Sequence, residues 1–386
     1  MNATQQPPLS LYIHIPWCIR KCPYCDFNSH KLTQPIDEQQ YIQHLIADFN
    51  ADYQPHQHRP IHSIFFGGGT PSLFSAKSLE ILLNHLQRHA KLSPECEITL
   101  EANPGTAEQQ RFSDYRQIGI NRLSLGIQSF DKQKLHSLGR IHNSDEAHRA
   151  ITLAHHAGFE RLNLDLMFAL PEQSPEQMLT DLQQAIDYQP EHISWYQLTL
   201  EPNTPFYQNP PPLPNDDQQI QFYELGSAYL KSHHYQQYET SAWTNNRKSQ
   251  HNLNYWQFGD YIGIGAGAHG KLTLADKTIT RTRKYRAPTA YQRAGNKSNY
   301  QNPYLDQHLI IKKEDQAFEF MMNALRLQQG VPTDYLNTRT QLTHHDLKPI
   351  LEHLSTQKLL HPNYQQHLQT TPRGFALLND VLTAFL

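Results

Sequence analysis

Six times in succession, a short run of apolar and β-branched residues gives way to a longer stretch of helical period, and this alternation restricts the fold more than any other feature. The runs are LYIHI (11–15), HSIFFGG (62–68), EITLEAN (97–103), RLSLGIQ (122–128), RLNLDLMF (161–168) and HISWYQLTL (192–200). The helix-period stretches are 37–50, 75–90, 106–118, 143–157, 175–188 and 215–232. Strands that alternate with helices pair in parallel, and right-handed crossovers bend the series into a barrel. The pattern predicts an α/β protein with a full or partial barrel, favouring a partial (β/α)6 barrel over an open doubly wound sheet.

The rhythm stops beyond residue 235. A proline-rich loop, PFYQNPPPLPN, precedes the last helical stretch, and a glycine-rich segment, YIGIGAGAHG (261–270), leads into a hairpin turning near Asp276. Residues 286–303 are polar and weakly periodic and read as a linker, after which helical patterns return. Three parts are expected: the barrel over 1–235, an extension over 236–305, and a helical or winged-helix-like domain over 306–386.

With 33 basic and 36 acidic residues the net charge is −3, so the basic excess of a nucleic-acid footprint is missing. No run of 18 apolar residues predicts a membrane span. The opening MNATQQPPLSLYIHIPWC lacks the basic and apolar regions of a secretory signal. A cytoplasmic protein is expected, and there clustered cysteines point to metal or redox work rather than disulfides.

Three of the four cysteines, Cys18, Cys22 and Cys25, sit in CIRKCPYCDF at spacing C-x3-C-x2-C. A structural zinc site wants four ligands, which Cys96, His14 or His30 could complete. A [4Fe–4S] cluster on three thiolates would keep one iron open to a small chelating molecule. Spacing leaves both readings open. Placement favours the second, because the loop directly follows the first strand, where barrels of parallel strands carry their chemistry. Cys96 precedes the third strand, at the opposite end, and reads as a small apolar residue.

The cysteine spacing resembles the radical S-adenosylmethionine (SAM) superfamily signature. The surrounding LYIHIPWCIRKCPYCDFNSH resembles the HemN family of oxygen-independent coproporphyrinogen III oxidases and their relatives. The resemblance continues through FFGGGTPS, LEANPG, RLSLGIQSF, LGRIH, LNLDLMFALP, YQLTLEPNTP, IGIGAGAHG and FMMNALRL, nearly the whole chain. It implies a TIM-like barrel with one [4Fe–4S] cluster held by Cys18, Cys22 and Cys25. The SAM amino and carboxylate groups would chelate the open iron, and an electron from the cluster would cleave the sulfonium to a 5′-deoxyadenosyl radical. Gly68, Gly69 and Thr70 would face the methionyl part, although a tight strand-to-helix turn explains the same residues. Glu101 would accept from the amino group, while Gln128, Arg140 and Asp165 would hold carboxylate and ribose. Tyr12 and Tyr24 match aromatic positions beside cluster and adenine. Thr199, near the end of the sixth strand, completes a ring of polar residues at successive strand ends.

Two departures separate this chain from the oxidases proper: Phe27 stands where they carry a further cysteine, and only 17 residues precede Cys18. Both match the HemW branch, whose members act as haem chaperones. HNLNYW (251–256) is similar to that branch's HNxxYW haem signature and makes His251 the candidate haem contact. The branch implies haem, acceptor haemoproteins (respiratory ones among them) and a flavodoxin-type electron donor as partners. It also allows a peripheral membrane association, although no amphipathic anchor stands out. The alternative is radical decarboxylation of coproporphyrinogen III to protoporphyrinogen IX.

Overall fold

The computed structural model describes residues 6–105, 111–296 and 302–386. Six strands, β1 (Leu9–Ile15), β2 (Ile61–Gly68), β3 (Leu92–Ala102), β4 (Arg122–Gln128), β5 (Arg161–Phe168) and β6 (His192–Gln197), lie side by side in chain order, each parallel to the next. Most of their residues are buried whichever face they point to, as expected of a parallel sheet covered by helices. The crossovers carry α1 (Glu38–Tyr53), α2 (Ala76–His89), α3 (Phe112–Gln117), α4 (Lys132–Ser137), α5 (Ser144–His156) and α6 (Pro175–Asp187), and α7 (Asp216–Ser232) follows β6. Helix starts are set by side chains: Asp37, Ser75, Asn143, Ser174 and Asn215 each accept a hydrogen bond from a first-turn N–H. Helix α2 shows how packing follows from spacing, since Leu79, Leu82, Leu83 and Leu86 form its buried stripe. The α/β class and the six parallel units are as the sequence predicts. Residues 106–110 of the helix expected over 106–118 lie outside the described residues.

The sheet does not end with the sixth unit. A hairpin of β7 (Gln236–Glu239) and β8 (Ala242–Thr244) adds antiparallel to β6. On the opposite edge, β9 (Asp260–Ile264) lies parallel to β1, and β10 (His269–Thr273), β11 (Ile279–Lys284) and β12 (Leu305–Ile311) continue antiparallel. The expected hairpin is β10–β11. Strand β9 was hidden in the glycine-rich stretch, because a five-residue strand containing Gly263 has little alternation to read. Between the two edges α8 (Gln250–Trp256) carries HNLNYW.

The expected linker over 286–303 is corrected. It contains α9 (Pro288–Gly295), which buries Tyr291 and Ala294 against the barrel core beside α1. Beyond β12 the chain forms short helices and one two-residue ladder, Val331–Pro332 with His367–Leu368. Their core of Phe320, Met321, Leu336, Leu351 and Leu354 also takes in Tyr238, Phe258 and Ile279 from the extension.

Candidate functional site

At the C-terminal ends of the parallel strands a cavity of about 440 Å³ opens, walled on one side by the cysteine loop. The loop leaves β1, and its short strands Trp17–Cys18 and His30–Lys31 pair with each other. The turn after β2 packs directly against it: Gly69 N–H donates to the Ile15 carbonyl and Thr70 N–H to that of Trp17, both at 2.7 Å. A Cβ on Gly69 would stand 2.5 Å from the Trp17 carbonyl oxygen, so the approach requires glycine. Gly68 has φ +111° with the His14 ring behind it. The turn is therefore a structural necessity, and it also lines the cavity.

Cys18, Cys22 and Cys25 are free, half-buried thiols on this wall. Thr70 Oγ1 donates to Cys18 Sγ at 3.6 Å, and Arg140 Nη1 to Cys22 Sγ at 3.7 Å. Arg140 is fixed by its other terminal nitrogen, which donates to Asn103 Oδ1 and the Gly126 carbonyl at 2.7 Å each, while its Nε is buried with no partner. Among the described residues no group of three or more His, Cys, Asp or Glu side chains is placed to hold a single metal ion. A cubane asks something different, since each thiolate takes its own iron and the sulfurs stand apart. Three thiols on one wall, with hydroxyl and guanidinium donors to two of them, suit a cluster.

The floor is acidic. The Glu101 carboxylate accepts from Gly68 N–H at 3.3 Å, and burial, with Asp165 adding repulsion, pushes its pKa up to about 8. Asp165 accepts from Asn163 Nδ2 at 2.7 Å and Ser124 Oγ at 3.2 Å, and burial raises it too. Gln128, held at φ +69°, accepts from the Tyr196 hydroxyl at 2.7 Å. Two buried carboxyls with few donors favour a ligand that brings an amino group and hydroxyls.

The structure thus brings Cys18, Cys22, Cys25, Tyr24, Gly68, Gly69, Thr70, Glu101, Gln128, Arg140, Asp165 and Thr199 around one cavity. Thr199 lies in the loop after β6, where its hydroxyl donates to Glu201. The polar residues that β6 itself brings to the cavity are Tyr196, which bonds Gln128, and Gln197. The sequence reading missed them because it ran the strand to 200 instead of Gln197. Asn103 was also missed, although it stands two residues past Glu101, one strand period away.

Tyr12 and His251 are not among the lining residues. Tyr12 lies beneath: its hydroxyl and His14 Nδ1 share a hydrogen bond of 2.9 Å, and His14 Nε2 reaches the Asn28 carbonyl at 2.8 Å. Through His14 it supports the cysteine loop from below. His251 is 1% exposed, stacked on Phe65 at 5.0 Å, with Nδ1 bonded to Ser63 Oγ (2.8 Å) and Nε2 to the Tyr255 hydroxyl (2.9 Å). Both nitrogens are engaged within the protein; of the HNLNYW side chains, Tyr255 and Trp256 line one cavity elsewhere and Leu253 another.

Burial pushes His251 down to about pKa 3. An unfolded histidine titrates near 6.5, so below that pH the unfolded chain binds a proton that folded His251 refuses. Stability must fall as pH drops from about 6.5 towards 3, by about 2 kcal/mol at pH 5 from this residue. Denaturant titrations at pH 7 and pH 5 should show a smaller acid loss in His251→Gln; an equal loss in both proteins would show that His251 is not held neutral.

Comparison with known proteins agrees with this geometry. Residues 12–185 match the radical SAM superfamily and residues 311–377 the HemN C-terminal domain. The solved structure of Escherichia coli coproporphyrinogen III oxidase HemN, described as a radical SAM enzyme, has the same fold. Its TM-score is 0.81 at 20% identity, over 99% of this chain and 90% of that one. Fold and cavity define a radical SAM barrel protein. The chain is 47% identical over 381 residues to the haem chaperone HemW of E. coli (strain K12) and 49% identical over 385 to that of Haemophilus influenzae (strain ATCC 51907 / DSM 11121 / KW20 / Rd). Each alignment covers 98% of both chains, and this chain belongs to the HemW family.

Proposed function

We propose that this chain is a haem chaperone, which binds haem and passes it to acceptor haemoproteins, respiratory ones among them. Its barrel would hold a [4Fe–4S] cluster and SAM. The observation that carries this reading is end-to-end similarity to relatives named haem chaperones, joined to a cavity with three thiols and Phe27, 60% exposed, at the position of the oxidases' further cysteine.

In this reading Cys18, Cys22 and Cys25 hold three irons. When bound, cluster and SAM together supply one-electron cleavage of the sulfonium. The protein's part is to bind and orient. Gly68, Gly69 and Thr70 present backbone to the methionyl chain, and Glu101 accepts from its amino group. Gln128, Arg140 and Asp165 hold carboxylate and ribose, Tyr24 and Thr199 border the site, and Tyr12 keeps the loop in register through His14. A flavodoxin-type donor would supply the electron. We place this work in the cytoplasm, with acceptors that could draw the protein to a membrane surface.

Titration of anaerobically reconstituted protein with haemin should give a saturable Soret band, and the loaded protein should transfer haem to an apo-haemoprotein. No band, or no transfer, overturns the proposal. Formation of protoporphyrinogen from coproporphyrinogen III with SAM and reductant would establish the oxidase instead.

A further inference from the structure

Beneath the cavity floor the interior of the barrel is polar. Asn163 stands two residues before Asp165 on β5, His192 lies opposite Asn163 on β6, and Tyr238 belongs to β7. All three are buried, and their polar atoms form one continuous column. Asn163 Nδ2 donates to Asp165 Oδ1 and to Ser124 Oγ, each at 2.7 Å, and Ser124 Oγ donates in turn to Asp165 Oδ2 at 3.2 Å. On its other side, Asn163 Oδ1 meets His192 Nδ1 at 2.6 Å, and His192 Nε2 meets the Tyr238 hydroxyl at 2.9 Å. The Tyr238 oxygen meets Ser249 N–H, at the start of α8, at 3.4 Å.

Chemistry allows this column only one direction. A carboxylate accepts and does not donate, so the amide nitrogen of Asn163 faces Asp165 and its oxygen faces His192. His192 Nδ1 must then carry the proton. Burial, with Arg122 and Arg161 nearby, holds the imidazole pKa well below its usual value. The ring is therefore neutral, Nε2 accepts, and Tyr238 is the donor. The Tyr238 oxygen is left to accept from Ser249 N–H. Every bond points from α8 towards Asp165, and aligned bonds polarise one another. Asp165 receives the result: burial raises its pKa, while the bonds from Asn163 and Ser124 lower it and fix its two oxygens at the cavity wall. Stability alone does not ask for such a column, because replacing both partners of a buried hydrogen bond by apolar groups of the same shape is close to neutral.

We propose that His192 and Tyr238 are positioning residues for SAM, acting through Asn163 to hold the Asp165 carboxylate in place for the ribose hydroxyls. The inference rests on the reading that Asp165 receives the ribose. It gives ligand binding a support outside the six βα units. Tyr238 belongs to the core of the C-terminal helices, and Ser249 caps α8 by accepting from Asn252 N–H. The extension thus orients a group on the cavity floor that it does not touch.

The test is titration of the anaerobically reconstituted full-length protein with SAM and, separately, with methionine, which brings the amino and carboxylate groups without the ribose. Binding is read by the EPR spectrum of the reduced cluster. Tyr238→Phe removes one oxygen and should weaken SAM binding about threefold to fivefold, near the worth of one neutral hydrogen bond. His192→Leu should weaken it about tenfold or more, because Asn163 loses its donor. His192→Asn, which keeps a donor at the Nδ1 position, should recover most of that loss. Methionine binding should stay at the wild-type level in all three. In an Asp165→Ala background Tyr238→Phe should change SAM affinity no further. SAM affinity equal to wild type in Tyr238→Phe and His192→Leu overturns the inference. SAM and methionine weakened alike also overturn it, since that is the mark of a merely structural role. Asp165→Ala with wild-type SAM affinity overturns the ribose reading itself, and the inference with it.

Discussion

Cys18→Ala, Cys22→Ala and Cys25→Ala will each lose the SAM-responsive cluster after anaerobic reconstitution, and Cys96→Ala will keep it. The asymmetry follows from position. The first three thiols share one cavity wall, and the described residues around it contain no spare thiol: Phe27, two places after Cys25, borders the cavity with a 60% exposed side chain. Cys96 sits near the start of β3, at the opposite end of the sheet, and burial with the Glu97 charge beside it pushes its thiol up to about 12. Such a thiol is a poor ligand and a serviceable piece of core. Protein-bound iron and the EPR change on adding SAM are the readouts, expected near background in the three loop variants and near wild type in Cys96→Ala. Loss of the signal in Cys96→Ala, or its survival in any loop variant, would show that the ligand set has been misread.

What the sequence made legible were features that repeat or that chemistry restricts sharply. Strands β1 to β6 announced themselves because a strand buried on both faces must be apolar nearly throughout. The cysteine loop and the GGGTP turn were legible because thiolates at fixed spacing and glycines at a close backbone approach have few substitutes. The misses have a common cause: they depend on which distant residues meet. Strand β9 is recognisable only beside β1, its partner some 250 positions away in sequence. Helix α9 reads as linker until Tyr291 is seen against α1. The burial of His251 was hidden because a motif states residue type but not exposure, and Ser63, which binds its Nδ1, lies on β2, far away in sequence. Tyr196 was lost to an error of three residues at a strand end, where terminal residues carry little periodicity.

The same long-range logic gives the largest expected stability effect outside the cavity. Lys284→Met should cost about 3–5 kcal/mol, the usual consequence of leaving a buried charge without its partner. Lys284 Nζ, fully buried at the end of β11, lies 2.5 Å from Asp48 and 2.6 Å from Asp52 on α1. Two carboxylates against one ammonium would repel, but neutral donors take up the excess. Tyr291 hydroxyl donates to Asp48 at 2.8 Å, Gly265 N–H at 3.1 Å, and Asn302 Nδ2 to both acids. Without the ammonium, Asp48 remains buried beside Asp52, and burial already raises its pKa. Adding Asp48→Asn to Lys284→Met should therefore recover part of the loss, and equal stabilities of the single and double variants would refute the coupling. The consequence reaches the cluster loop. Gly265 packs on the His14 carbonyl, Tyr41 hydroxyl donates to that same oxygen at 3.0 Å, and Asn28 of the cysteine loop donates to the Ala266 and Arg286 carbonyls at 3.0 Å each. Extension and loop are thus fastened to one buried charge cluster. Lys284→Met should lower cluster occupancy as well as melting temperature, and the double variant should restore both in the same proportion.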